Sequence, residues 1–372
     1  MILMQKKTSR NKSKYFLHKQ QESGRLLYIK EVLMSETNRS RVISGFRPTS
    51  DLTVGNFLGA IRPSLELQSD SEIDLYVFVA DLHGLTDHDP RDIAPYRTEV
   101  VQDCLALGID PSKTTLYMQS DIEEPVVQIA NRLSPYVSVA ELARTPNLKE
   151  KMQTAVRKGE SDTDDASKAN FGLLGYPVLM AADIFAQRAD RVAVGEDQEP
   201  HLELARKMAR RFNTRFEAGT LVEPSILAVD AVRVVGLDGK GKMSKTNPEQ
   251  AIMLSDDPEY ARRKIKRAAT AQAGEWSSAL DSHFLVASNT TTNTDRLAEL
   301  EEIKAGHLEG KPVMGAFKKL WGDITEDMLL SFQEIKSTIS EEHVEKVLKS
   351  GADKARVNAS GVLKDMKDVM GL

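Results

Sequence analysis

From Arg41 onward the chain alternates short apolar runs with longer stretches of helical period, the pattern of βα units feeding a parallel sheet. Val42-Ile43-Ser44-Gly45-Phe46 predicts a strand, followed by a turn over Arg47-Pro48-Thr49-Ser50. A helix is expected to open near Thr53, whose hydroxyl suits an N-cap. Leu75-Tyr76-Val77-Phe78-Val79-Ala80 is apolar at every position, as a central parallel strand covered on both faces requires. Arg97 to Leu107 reads as a helix and Thr115-Leu116-Tyr117-Met118 as a third strand. Residues 124–157 look helical, and Lys158 to Asn170 is a polar loop rich in Gly, Asp, Ser and Lys. Asp190 to Gly195 predicts another strand, leading into a helix with Leu202, Leu204, Ala205, Met208 and Ala209. Val232-Arg233-Val234-Val235 is the last strand candidate. Beyond Pro248 the pattern is mainly helical, with Val344, Val347, Leu348, Val362, Leu363, Met366, Val369 and Met370 spaced by three and four in two groups. No internal repeat is visible. The fold class is α/β, with a mainly helical end.

Length and charge sharpen this picture. At 372 residues the chain has room for about two domains. Its 50 Lys+Arg against 55 Asp+Glu give −5, which does not suit a protein that coats nucleic acid, and DNA is not an expected partner. Residues 1–33 hold eight basic groups and two acids, leaving −11 on the remainder. A basic, acid-poor opening fits an organellar transit peptide, although those favour Arg and Ser over Lys. It equally fits a translated extension upstream of a second start at Met34-Ser35-Glu36, and poor packing is expected there. A single cysteine, Cys104, excludes an internal disulfide framework and any cysteine-based zinc or iron–sulfur site. No apolar run nears the roughly 20 residues of a membrane-spanning helix. Secreted, membrane and fibrous classes are set aside, and a cytoplasmic location is expected.

Three segments stand apart from ordinary core. In Ser44-Gly45-Phe46-Arg47-Pro48-Thr49 with Thr53-Val54-Gly55-Asn56, a strand, a turn and a helix N-terminus make an anion site of free N–H groups. Gly55 lets a ligand approach where a Cβ would intrude. The arrangement is neither GxxxxGK[ST] nor GxGxxG, and a helix-opening Thr beside a small residue is common in any fold. In Gly239-Lys240-Gly241-Lys242-Met243-Ser244-Lys245-Thr246, glycines give mobility while Lys242 and Lys245 can meet a developing polyphosphate. A solvated lysine turn is the competing description, against which Met243 counts slightly. In the third, Asp183 sits in a nearly apolar helix and needs a partner or ligand if buried. Tyr176, Met180 and Asp183 recur at helical spacing. Gly195-Glu196-Asp197-Gln198 and His83 each follow a strand, where open α/β sheets place ligand groups. His201 and Glu203 lack metal-ligand spacing, and no metal cage is assigned.

Taken in order, these segments resemble bacterial-type tryptophanyl-tRNA synthetases, which are class I aminoacyl-tRNA synthetases. Thr53-Val54-Gly55-Asn56 is similar to the family's form of the HIGH signature, and Lys242-Met243-Ser244-Lys245-Thr246 to its KMSKS loop. Leu179-Met180-Ala181-Ala182-Asp183-Ile184, Val194-Gly195-Glu196-Asp197-Gln198, His201-Leu202-Glu203-Leu204 and the tail through Gly351-Ala352-Asp353-Lys354-Ala355 also match, over about residues 41–372. The resemblance implies a Rossmann-like catalytic domain over 39–250 with a helical insertion about 120–175. It also implies an α-helical, tRNA-side domain over 251–372, after a basic extension over 1–38.

The implied reaction forms tryptophanyl-adenylate from L-tryptophan and MgATP, then acylates tRNA(Trp); Mg2+ arrives with ATP and no structural metal is implied. By resemblance Asp183 binds the indole N–H and Met180 packs on the ring. Tyr176 and Gln198 take the α-ammonium, while His83, Ile43, Val192 and Val194 wall the pocket. The implied ATP set comprises Arg47, Pro48, Thr49, Gly55, Asn56, Gly195, Glu196, Asp197 and Val234 with Lys242, Met243, Ser244, Lys245 and Thr246. Thr53, Asn56, Lys242 and Lys245 would carry catalysis. No general base is required, since the substrate carboxylate is the nucleophile and alignment plus charge stabilisation remain.

Some positions depart from the family pattern. Arg47 replaces a usual Gln, Ile43 a usual Phe, and Thr246-Asn247 a usual Ser-Asp. The connection around Gly236-Leu237 is about one residue short, and Glu199-Pro200 is unusual. A tyrosyl-tRNA synthetase, or a catalytically reduced paralogue with a binding role, are the alternatives. The basic runs Arg206, Lys207, Arg210, Arg211, Arg215 and Arg262, Arg263, Lys264, Lys266, Arg267 suit tRNA or merely solvated helix faces. A homodimer is implied, with the helical region near 124–157 at its interface.

Overall fold

The computed structural model describes residues 39–48, 51–86, 91, 96–146, 148, 153, 170–229 and 234–372. Five strands form one sheet: β1 (Ser40–Phe46), β2 (Ile73–Val79), β3 (Thr114–Met118), β4 (Arg191–Val194) and β5 (Ser225–Ala228). Their order is β3-β2-β1-β4-β5, and the pairs β1–β4, β2–β3 and β4–β5 run parallel. Strand alternation sends Val42, Leu75, Val77, Val79, Leu116 and Met118 into one apolar layer. Ile43, Tyr76, Phe78, Tyr117 and Val192 enter the other. Both faces are therefore covered, as the unbroken apolar run of β2 requires. The order reverses between β1 and β4, which creates a crevice beyond their carboxyl ends.

Helix α1 starts at Val54–Asn56, widens into a π-helical turn at Phe57–Ile61 and resumes as Arg62–Leu67. Thr53 caps it as expected, and Asn56 completes a reciprocal capping box. A short α2 (Asp81–Gly84) follows β2, and α3 (Tyr96–Ala106) leads to β3. Where residues 124–157 were expected to be helical, the chain breaks. Helix α4 (Glu123–Leu133) gives way to a 3-10 turn at Ser134–Tyr136 and a short α5 (Val139–Leu142). Pro135 supplies no N–H to continue the ladder, and Ser138 with Glu141 caps a new start. Most of the expected polar loop at 158–170 lies outside the described residues.

Helix α6 (Phe171–Ala186) is apolar on nearly all sides and buried over most of its length. Helix α7 (Glu199–Phe216) follows β4, with Leu202, Leu204, Ala205, Met208 and Ala209 in the core as their spacing foretold. The strand candidate Val232–Val235 needs correction. Val232 and Arg233 lie outside the described residues, and Val235 makes only an isolated antiparallel bridge with Lys242. The fifth strand is instead Ser225–Ala228, a half-exposed edge whose apolar signal is just Ile226-Leu227.

The helical end comprises α8 (Pro258–Arg267), α9 (Ser278–Asn289), α10 (Thr294–Leu308), α11 (Met314–Thr338) and α12 (Glu341–Met370). Residues 41–372 form one structural unit. Phe284 of α9 stacks on Phe317 of α11 with ring centroids 3.9 Å apart. Helix α12 returns to the sheet, placing Ala352, Ala355, Ala359 and Met366 in the layer beneath Tyr76 and Tyr117. Gly351 makes this possible, because a Cβ there would stand 1.9 Å from the Leu116 carbonyl oxygen. No described helix is long and apolar enough to cross a membrane.

Candidate active site

A cleft of about 530 Å³ opens at the reversal between β1 and β4. Its walls come from the carboxyl ends of those strands (Ile43 to Arg47, Val192 to Gly195), from Gly59, Ala60 and Pro63 of α1, and from α6. It brings together Ile43, Arg47, His83, Tyr176, Met180, Asp183, Val192, Val194, Gly195, Asp197, Gln198 and Lys242, which sequence reasoning had placed in two separate ligand sets.

The most buried polar side chain lining the cleft is Asp183 of α6, 3% exposed. Its neighbours on α6 are apolar, so its partners must come from other elements. His83 of α2 places Nε2 2.9 Å from Asp183 Oδ2, donating when that nitrogen carries the proton. Gln119, just after β3, donates Nε2–H to Oδ1 at 2.9 Å and to Oδ2 at 2.8 Å. Burial pushes the Asp183 carboxyl above its ordinary value, opposed by His83 and Gln119 and helped by the Asp81 charge. Two turns earlier on the same helix, the Tyr176 hydroxyl meets His201 Nε2 at 2.5 Å, and its ring stands edge-on to His83. Pro177 within α6 does not break the helix.

Sequence reasoning missed Gln119. The signal existed, since Gln119 follows a fully buried strand at its carboxyl end just as His83 follows β2. What sequence could not supply was its fully buried setting or the proximity of α6.

After β4, Glu196–Gln198 form a 3-10 turn whose Asp197 and Gln198 line the cleft. A Cβ on Gly195 would lie 2.6 Å from Asp197 Oδ1, so a larger residue there would displace that carboxylate. Gln198 Nε2 donates to Asp197 Oδ2 at 2.7 Å. Pro48 continues from β1, whereas Thr49 lies outside the described residues.

The two signature segments pack against each other. Thr53 and Asn56 serve each other: Asn56 Oδ1 accepts from the Thr53 amide and hydroxyl, and the Asn56 amide donates to Thr53 Oγ1, all at 3.0 Å. A Cβ on Gly55 would contact Met243 and Val234 at 3.4 Å each, so Gly55 faces the lysine loop from below. That loop is a built turn. The Met243 amide donates to the Val234 carbonyl (2.9 Å) and the Gly236 amide to the Gly241 carbonyl (3.2 Å), while Gly239 and Gly241 take φ of +73° and +62°. Such values favour glycine. Met243 is 4% exposed and anchors the turn in the core, which settles why an apolar residue separates two lysines. Lys242 lines the cleft, whereas Lys245 does not. Partial burial lowers the Lys245 ammonium pKa, against the pull of Asp51. Ser244 and Thr246 bond to each other through their hydroxyls at 2.9 Å.

Chemically, the cleft is lined by a buried ionisable acceptor, Asp183, by a lysine, Lys242, and by apolar side chains. That suits a flat apolar group with one buried N–H or O–H donor, joined to an anion. Among the described residues no group of three His, Cys, Asp or Glu side chains could hold a metal ion.

Comparison with known proteins defines the class. Residues 34–341 match the family model for class I tRNA synthetases (W and Y), and the chain belongs to that family. Among its relatives, the tryptophan–tRNA ligase of Porphyromonas gingivalis is 36% identical over 89% of this chain and 98% of its own. The tryptophanyl-tRNA synthetase structure from Mycoplasma pneumoniae superposes with a TM-score of 0.75 at 28% identity, covering 90% of this chain and 98% of that one. The Campylobacter jejuni tryptophanyl-tRNA synthetase, solved with ADP and tryptophan, gives 0.73 at 28% identity over 89% and 100% of the two chains.

Proposed function

We propose that this chain is a tryptophan–tRNA ligase that activates L-tryptophan with ATP and transfers it to tRNA(Trp). The observation that carries the amino-acid choice is Asp183, a buried acceptor that lines the cleft and is flanked by His83 and Gln119. An ionised carboxylate there accepts the indole N–H, while Met180 and Ile43 cover the ring. A slot built around that bond rejects analogues lacking the donor by large factors, on the order of 10⁴. Size exclusion alone could not do this, because every competing amino acid is smaller. Tyr176 and Gln198 receive the α-ammonium in this reading.

ATP, with its own Mg2+, would lie across the mouth, against Gly195, Asp197 and Arg47. Lys242 and Lys245 would meet the polyphosphate as charge develops during attack by the tryptophan carboxylate. The built turn holding Met243 positions both lysines. Thr53 and Asn56 then contribute by holding the helix N-terminus in place.

ATP–[³²P]pyrophosphate exchange tests the reading. Exchange is expected with tryptophan and absent with tyrosine, phenylalanine or no amino acid. Exchange driven by tyrosine would overturn the amino-acid assignment. The Lys245→Ala variant is expected to slow exchange while tryptophan affinity holds.

We propose that residues 251–372 face the tRNA. Arg263, Lys266 and Arg267 are exposed along α8, so affinity for tRNA should fall steeply with salt. The arginines of α7 are weaker candidates: Arg206, Arg210 and Arg211 are tied to Glu199, Glu203, Glu223 and Glu141. A homodimer is also proposed, supported by exposed Val127, Val139 and Phe171. Light scattering should give twice the chain mass.

A further inference from the structure

Gln119 is fully buried, and both ends of its amide are in use. Its Oε1 accepts the His83 main-chain N–H at 3.3 Å, while its Nε2 donates to both oxygens of Asp183 at 2.9 and 2.8 Å. Reversing the amide would set oxygen against carboxylate and nitrogen against an N–H donor. The orientation is therefore dictated by its neighbours. We propose that Gln119 is a positioning residue for amino-acid selection: it holds Asp183 as an ionised, rotationally fixed acceptor for the ring N–H of the substrate. This rests on the reading of Asp183 given above.

A carboxyl buried in an apolar helix can lower its cost in two ways. It can keep a proton, or it can accept strong hydrogen bonds as an anion. The first would leave only a neutral, weaker acceptor beside an O–H that competes with the ring N–H, and the discrimination would shrink. Gln119 favours the second. Its amide adds no titratable group to the site, and its contact with both oxygens fixes the carboxylate plane as well as its charge.

The other groups facing Asp183 do not do this. His83 meets one oxygen only. Asp81 adds like charge, and the Tyr117 phenol on β3 is itself held neutral by burial, with the Asp183 charge adding to the effect. Tyr176, on the same helix, is engaged by His201.

The test uses the full chain with Gln119→Met, which keeps length but removes the donor, and Gln119→Glu, which keeps shape but adds a carboxyl. Calorimetry would measure binding of tryptophan and of its benzothienyl analogue, in which sulfur replaces the ring N–H, across the pH range where the fold persists. Gln119→Met is expected to weaken tryptophan roughly 10- to 100-fold at neutral pH, the size of one charge-assisted hydrogen bond, and to leave the analogue little changed. The pH at which tryptophan binding is half lost should move upward, and further upward in Gln119→Glu. The KM for ATP should not move.

Equal weakening of both ligands, with an unmoved pH midpoint, would show that Gln119 only fills space and would overturn the proposal. If Gln119→Met does not fold, Gln119→Glu carries the same readouts. Asp183→Asn run in parallel separates the two levels. Should it fail to narrow the preference for tryptophan over the analogue, the reading of Asp183 falls. Should it succeed while Gln119→Met leaves that preference intact, only the role of Gln119 falls.

Discussion

Asp103 on α3 and Asp183 on α6 are both buried carboxyls that desolvation pushes above their ordinary value, yet they are built for different ends. Asp103 is met by the Lys336 ammonium at 2.6 Å, which ties α3 to α11; Glu99 adds a second contact to the same lysine. Lys336 is held above its usual value by that pairing, although burial opposes it. Among the described residues, Asp183 has no lysine or arginine as a hydrogen-bond partner; its partners are an imidazole and an amide. It lines a cleft, and Asp103 does not. A lysine saturates a carboxylate with charge and holds two helices together. An imidazole and an amide leave acceptor capacity facing a space that a ligand can fill. A raised pKa alone therefore does not mark a site; the kind of partner and the presence of a cavity do.

The contrast is open to direct challenge. The largest effect is expected from Asp183→Asn, which should cut kcat/KM for tryptophan in the exchange assay by about 10³- to 10⁴-fold while the fold persists. A loss of less than tenfold would erase the distinction between the two carboxyls. Next comes Lys336→Met, which strands Asp103 without its cation. Denaturant unfolding should report a loss of about 3 kcal/mol, with exchange activity retained. If exchange falls and stability holds, the two carboxyls have been assigned the wrong way round.

A pH series sharpens the same point. The ionised Asp183 is the acceptor, and its pKa is raised, so tryptophan binding should fade on acidification at a pH above the ordinary carboxylate value of 3.8. Stability should respond in the opposite sense. A carboxyl whose folded pKa is raised binds its proton more tightly when folded, so it favours folding below that pKa and loses this contribution as pH rises through it. Both dependences should vanish in Asp183→Asn.

The smallest effect serves as the exposed reference. Glu141, paired with Arg211 and capping α5, is held down to about 2. Its contribution is present above the unfolded value of 4.5 and lost as pH falls toward 2. Glu141→Gln should cost below about 1 kcal/mol and leave exchange untouched.

Much of the framework was legible before any coordinates. Strand β2 announced itself by an unbroken apolar run, as a sheet covered on both faces requires, and β1, β3 and β4 by shorter apolar runs between helical stretches. The Thr53 cap, the core face of α7 and the long α12 followed from local rules of hydrogen bonding and period. Strand β5 escaped, since an edge strand with one covered face needs only Ile226 and Leu227 to be apolar. The break at Ser134-Pro135 was hidden within an otherwise helical pattern.

By itself the sequence determined most of the elements and which residue types could carry chemistry, because those depend largely on neighbours within a few positions. It placed Asp183, His83 and Lys242 among the candidates on that basis. Only the tertiary structure decided what they face. It brought Gln119 from the end of β3 to both oxygens of Asp183, seated Met243 under Gly55, and pressed Gly351 against the Leu116 carbonyl. Those meetings join residues tens to hundreds of positions apart, and their energies depend on burial and partner. Both are properties of the packed sheet and helices, and no local stretch of chain contains them.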